Sequence, residues 1–321
     1  MEAESSVPTK LTRVLRGHNG RVTSVRYTKD GNYCMTCGQD RSICLWNPAR
    51  DDMKDGFLIK RYKGPHSNSV NDVSVAPDNQ TFVSGGEERE VYLWDVTNAK
   101  VLRRFYGHSQ RINTVCYNPE GSVIASGSYD TTVKLWDTKS HSSQCIQTLS
   151  DAADSITSIC MDDTSIVTGS VDGTVRSYDI RMGKLYEERT GVPICSVSLS
   201  KDNQCIVAST TSSSVLCFER ASGLLLNEYR GHICEEYKIE SILNNTDEYI
   251  ITGSENGKVY FYDLISTKVH HTLEYHDKPI SSIRQHPENR TLLVASFDGI
   301  VSVWDCFVCL NTAYSEGRLF S

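Results

Sequence analysis

Between Gly107 and Asp137 the chain reads GHSQRINTVCYNPEGSVIASGSYDTTVKLWD. Four of these side chains, His108, Ser126, Asp130 and Trp136, can join in one hydrogen-bonded line. An Asp in a tight turn accepts from the His ring, the ring meets the Ser hydroxyl, and the hydroxyl oxygen receives the indole N–H. Such a line is stable in a protein interior only when every member is satisfied, so residue type and spacing count together. Apolar residues alternate between these marks (Ile112, Val115; Val123, Ile124, Ala125; Val133, Leu135), and Asn118-Pro119-Glu120-Gly121 punctuates them as a hairpin turn does. The stretch therefore predicts short antiparallel strands.

The same unit recurs on both sides. His18, Thr36, Asp40 and Trp46 form a first tetrad, and His66, Ser84, Glu88 and Trp94 a second, with a longer acid that should loosen its turn. A seventh copy holds His276, Asp298 and Trp304 but carries Val294 where the hydroxyl belongs, so its line is expected to be incomplete. In all four copies the His-to-acid interval is 22 residues and the acid-to-Trp interval is 6. Three degenerate copies lie between. Unit four keeps Thr168, Asp172 and Tyr178 without a His, unit five keeps Ser212 and Phe218, and unit six keeps His232, Thr252, Asn256 and Tyr262 with extra residues after its Gly-His.

The aromatic positions 46, 94, 136, 178, 218, 262 and 304 step by 48, 42, 42, 40, 44 and 42 residues. That period fits a four-stranded blade of a β-propeller, and the unit resembles the WD repeat. The expected fold is all-β, a seven-bladed WD40 propeller over residues 10–310, with a disordered N-terminal tail at 1–9 and a C-terminal tail at 311–321, the chain fraying after Val308. Too little chain follows Trp304 for a last outer strand, whereas Leu11–Leu15 is a strand without a blade. The N-terminal segment should supply that strand and close the ring, since closure removes exposed sheet edges. The longest step comes from residues 51–56, read as a surface loop before an outer strand at Phe57–Tyr62.

Composition narrows the function. A net charge of −7 disfavours nucleic-acid binding through bulk electrostatics and leaves proteins as the expected partners. No apolar run approaches the ~20 residues that span a bilayer, and the acidic, polar start is not expected to be a signal peptide. The twelve cysteines are expected to be reduced and buried. Cys34/Cys37 and Cys306/Cys309 could together offer four thiolates to zinc, but strand alternation sends Cys34 and Cys37 to opposite faces, so no metal is expected.

Catalytic motifs are missing. Gly253 to Lys258 imitates a phosphate loop, but the glycine interval is too short and Val259 stands where a Ser or Thr would hold magnesium. A His–Ser–Asp line also imitates a hydrolase triad, yet here it recurs around a ring and ends on an indole, which has nothing to activate. The expectation is a non-catalytic, monomeric ring without cofactors, working through loops on a stiff scaffold.

In WD propellers the residue before the turn acid and those starting the innermost strand reach the top face. Here these are Arg21, Gln39, Glu87, Arg111, Tyr129, Val171, Thr211, Tyr237, Glu255 and Phe297, and the Arg and aromatic members are the types that dominate interface hot spots. Three segments, DGNYCMTCGQDRSICLWNP (Asp30–Pro48), SVDGTVRSYDIRMGKL (Ser170–Leu185) and RGHICEEYK (Arg230–Lys238), closely resemble the mitogen-activated protein kinase organizer family, in register over essentially all seven units. The resemblance implies a scaffold for components of the extracellular-signal-regulated kinase cascade, found also with the catalytic spliceosome in pre-mRNA splicing and with a prolyl hydroxylase, in cytoplasm and nucleus. The longer loop at 51–56 and the termini depart from that family. An alternative is a substrate receptor of a cullin-RING ubiquitin ligase, since Tyr178-Asp179-Ile180-Arg181 is similar to the WDxR box of such receptors, with Tyr for Trp. The plainer expectation for Arg181 is a weak surface pair with a neighbouring carboxylate.

Overall fold

A computed structural model describes residues 7–50 and 57–306. These residues form seven four-stranded antiparallel sheets and no α-helix. Blade one, from the channel outward, is Val22–Tyr27, Cys34–Gly38, Ile43–Asn47 and Phe57–Tyr62. The next five blades repeat this order up to Val269–Glu274. Blade seven is Ile280–Gln285, Leu292–Ser296, Ile300–Asp305 and then Lys10–Arg16 from the start of the chain. That strand runs antiparallel to Ile300–Asp305, with Leu15 opposite Val301, and the innermost strands of blades seven and one touch. The ring is thus closed by its own N-terminal segment, and the outer strand at Phe57–Tyr62 lies where the sequence places it.

Packing begins before the closing strand. Val7, expected in a disordered tail, is buried among Ile242, Ile251, Leu292 and Trp304, and the Thr9 amide donates to the Asp305 carbonyl. An apolar side chain offered a seam between two blades is drawn out of water, so the packed chain starts at least three residues earlier than the repeat pattern implies. The loop at 51–56, the fraying after Val308 and the tail at 311–321 lie outside the described residues.

The core is a set of seams between neighbouring sheets rather than one central mass. In six blades the outer strand contributes a large apolar wedge opposite the third residue before the aromatic mark: Tyr62, Phe105, Leu149, Tyr229, Leu273 and Leu15. Tyr62, for example, packs edge-on to Phe82 and Trp94 of blade two. Strand alternation also divides Cys34 from Cys37, since Cys34 packs toward blade seven with Leu293 and Val303, and Cys37 toward blade two with Val70 and Phe82.

The tetrads of blades one to three form as read. Asp130 can only accept, so His108 donates from Nδ1 (2.9 Å); its Nε2 then meets Ser126 Oγ at 2.8 Å, and Trp136 Nε1 donates to the same oxygen at 2.8 Å. In blade one the corresponding distances are 2.9, 2.7 and 2.9 Å. Glu88 differs as its extra methylene requires. It accepts from His66 with one oxygen and from the amides of Ser67 and Asn68 with the other, whereas Asp40 and Asp130 accept only the first of the corresponding amides, that of Asn19 or Ser109, together with the amide two residues on in their own turns.

Blade seven corrects the reading of Val294. Its line is complete, because Ser302 stands opposite Val294 in the adjacent strand. Ser302 Oγ lies 2.8 Å from His276 Nε2 and accepts from Trp304 Nε1 at 2.8 Å, while Asp298 holds His276 Nδ1 at 2.6 Å. Blade four replaces the missing His with Arg176, which donates to both oxygens of Asp172 and to Ser170. Blade five gathers Thr210, Ser212 and Ser214 into a hydroxyl cluster. In blade six His232 meets the Tyr262 hydroxyl (3.2 Å) but leaves Nε2 buried without a partner, and Thr252 is satisfied by Ser241 instead.

Candidate interaction face

The first register shift of the innermost strands builds the mouth of the central channel. In blades one to five and seven the second residue of the strand is bulged out of pairing, and a bulge re-aims the side chain it carries. Thr23 donates to the Val70 carbonyl, Asn71 to that of Ile112, Asn113 to that of Ile156, Thr157 to that of Ile194, and Ser281 to that of Val22. Each bond links one blade to the next, so a polar collar rings the mouth. It is interrupted after blade five, where the bulged residue is Cys195 and its Sγ lies 3.6 Å from Cys234 Sγ. A repeat-by-repeat reading passes over these residues because Thr, Asn and Ser at the start of a strand look ordinary.

On this collar sit the residues expected at the top face. Arg21 lies over the Phe297 ring at 4.8 Å and near Tyr237 at 5.7 Å, and the two rings meet edge to face at 5.2 Å. Arg111 lies 4.8 Å over Tyr129, which is 51% exposed, and 3.7 Å from Glu87. Glu87, Arg111, Tyr129, Val171 and Phe297 line a hollow of about 420 Å³ at the mouth. Arginine stacked on an aromatic ring is held ready for a partner at little further cost in side-chain entropy.

The other three residues lie outside these stacks. The amides of Gln39 and Thr211 donate to the carbonyls of Arg21 and Pro193, as those of Glu87, Tyr129, Val171 and Phe297 do to Ser69, Arg111, Ser155 and Pro279. Glu255 is committed to its own blade: Oε1 accepts the amides of Glu235, Glu236 and Tyr237, and burial, which opposes ionisation, is outweighed by these bonds so that its carboxyl is held below the usual range. It serves as a clamp on the extra residues after the sixth Gly-His. That insertion also carries Lys238, which reaches across the channel to the Asn113 carbonyl at 3.4 Å and lines the same hollow. The irregular length of unit six was the only sign of it in the sequence.

Deeper in the channel four charges converge from four blades. Arg26 meets Asp72 at 2.7 Å and Glu240 at 2.8 Å, and Arg284 meets Glu240 at 3.1 Å. Ser24 and Thr114 donate to Asp72, and Ser282 to Glu240. Burial works against the Glu240 charge, but Arg26 and Arg284 outweigh it and bring the carboxyl down to about 2. The network pins inner strands to one another across the opening. Among the described residues no group of three or more His, Cys, Asp or Glu is placed to hold a metal ion.

At the other candidate box, Asp179 accepts the amides of Arg181 and Met182. Tyr178 is half-buried, and the Arg181 side chain is exposed with no ion pair among the described residues. The surface pair expected for Arg181 is therefore not formed, because Asp179 is turned toward its own turn.

Comparison with known proteins agrees with this architecture. The family described as "IFT122 first beta-propeller" matches residues 49–305, and the WD domain, G-beta repeat matches residues 9–47. The human WD repeat domain-containing protein 83 is 39% identical, covering 93% of this chain and 92% of its own. The Dictyostelium discoideum homolog of that protein is 34% identical over 93% of this chain and 99% of its own, and an uncharacterized WD repeat-containing protein of Schizosaccharomyces pombe is 38% identical over 88% and 94%. Propellers of this kind bind proteins. With a closed seven-bladed ring and identities of this size along nearly its whole length, the chain belongs to the WD40-repeat family that includes WD repeat domain-containing protein 83.

Proposed function

We propose that the protein is a non-catalytic scaffold that assembles multiprotein complexes, and that its partners dock on the channel mouth through Arg21, Tyr237 and Phe297 on one side and Arg111 and Tyr129 on the other. The observation that carries this is the pair of arginine–aromatic stacks on a rigid collar. The resemblance to the mitogen-activated protein kinase organizer family supports two partner sets, kinases of the extracellular-signal-regulated cascade and proteins of the catalytic spliceosome, with a prolyl hydroxylase as a third, in cytoplasm and nucleus. The tagged protein purified from its own cells should bring down one or more of these sets. The Arg111→Ala, Tyr129→Ala double variant, altered only at exposed positions, should lose most of that recovery at unchanged melting temperature. Equal recovery by the variant would remove the mouth as the docking face, and recovery of none of the sets would remove the family reading.

A second reading is favoured by the exposed, unpaired guanidinium of Arg181, namely adaptor binding by a ubiquitin-ligase receptor. Arg181→Ala should then lose the adaptor in the same purification. An unchanged or absent adaptor signal sinks this alternative.

A further inference from the structure

The seam between blades four and five lacks the parts that close the other seams. At the position where six blades insert a large apolar wedge, blade four has Glu188, opposite Val175. The residue before the aromatic mark is apolar elsewhere (Leu45, Leu93, Leu135, Cys217, Phe261, Val303) but is Ser177 here, on the same face as Glu188. Across four other seams an outer-strand side chain also bonds a carbonyl just beyond the next aromatic mark: Tyr62 to Val96, Arg103 to Asp137, Tyr229 to Leu264, and Arg13 to Pro48. In blade four the neighbouring outer-strand residue, Tyr186, stands 48% exposed.

What remains is a groove of about 1070 Å³ lined by Tyr186, Glu188, Leu216, Phe218 and Leu225. Glu188 Oε2 and Ser177 Oγ are both buried without a hydrogen-bond partner, and Ser177 is 6% exposed. Buried polar atoms are rarely left unmet in a finished interface. The other charges are already matched: Glu187 with Arg176 and Arg189, Glu228 with Arg230, and Arg220 with Asp162. Burial, with Glu187 beside it, pushes the Glu188 carboxyl up from its ordinary value, as expected for an acid lacking a cation. Leu185 and Leu225 of its lining are exposed, and the strand Lys184–Arg189 is the outer edge of its sheet.

We propose that this seam is a docking groove for an extended segment of a partner protein, in which an apolar side chain supplies the missing wedge and a Lys or Arg two residues away pairs with Glu188. Two residues is the spacing at which side chains of a strand share a face, and an open sheet edge accepts such a segment as an added strand. The surface is distinct from the channel mouth, so its failure would leave the mouth reading intact.

A display library of random twelve-residue peptides, selected against the immobilised full chain, should enrich an apolar-x-basic pattern. Enriched peptides measured by fluorescence polarisation should bind Glu188→Leu at least tenfold more weakly and Glu188→Gln, which keeps shape but not charge, also more weakly, while the Arg111→Ala, Tyr129→Ala variant binds unchanged. Glu188→Leu should melt about 2 °C or more above the parent, because the seam gains its wedge. Peptides without a basic residue, or equal binding by Glu188→Leu, overturn the proposal. A concentration-dependent dimer in sedimentation that Glu188→Leu abolishes also overturns it, since the occupant would then be a second copy.

Discussion

Ser302 faces Val294 across the last hairpin and completes, from the neighbouring strand, the His276 line that position 294 cannot join. The two positions are therefore interchangeable sources of one hydroxyl. Ser302→Val should leave His276 Nε2 and Trp304 Nε1 buried without a partner and cost about 2 kcal/mol or more in urea unfolding. Adding Val294→Ser to that variant should recover most of the loss; failure to recover would mean that Ser302 acts through packing alone.

Leu15 tests ring closure. It is buried against Trp46, Leu293 and Val301, so Leu15→Ala should lower stability by about 2–4 kcal/mol. Deleting residues 1–16 should do more, leaving Ile300–Asp305 as an open edge with a sharply lower melting temperature and aggregation at rising concentration. A deletion variant that melts like the parent would show that the ring does not depend on this strand.

The channel charges should respond to being broken more than to being removed. Glu240→Ala strands Arg284 and leaves Arg26 with Asp72 alone, and should cost about 3–5 kcal/mol. The depressed Glu240 carboxyl, near 2 against about 4.5 in the unfolded chain, stabilises the fold above the unfolded value and loses that contribution as pH falls toward 2. Glu240→Gln should thus flatten the stability curve between pH 4.5 and 2, measured by chemical unfolding at each pH.

His232 works with the same sign through the opposite chemistry. Burial brings it down to about 4 from an ordinary value of 6.5, so the unfolded chain takes up a proton first as pH falls. Stability is lost progressively from pH 6.5 toward 4, by about 3 kcal/mol for this group. His232→Phe should remove that loss, seen as a smaller drop in melting temperature between pH 7 and 4 than in the parent.

Much of this was legible from local pattern. The outer strand Phe57–Tyr62, the tetrads of blades one to three and the orphan strand before the first Gly-His all follow from spacing, since a hairpin blade is built from contacts close in sequence. Val294 hides a complete line because the spacing points to a hydroxyl on its own strand, while pairing register delivers one from the next. Glu255 departs from the pattern for a related reason: its place before Asn256 at the turn puts it on the upper face, but the inserted residues 233–238 bend back and take its carboxylate. Arg176, standing in for the absent His of blade four, lies at a position that carries Lys134 in blade three, so nothing in its residue type marked the exchange.

The amino-acid sequence by itself determined the number of blades and the closing of the ring, because turn chemistry and strand alternation act within a few residues and repeat at a countable period. Only the tertiary structure decided which side chains meet across blades. The collar from Thr23 to Ser281, the Arg26–Asp72–Glu240–Arg284 network and the unfilled seam at Glu188 depend on inner strands brought side by side from distant parts of the chain. Their partners are set by the geometry of a closed circle, and no local spacing records it.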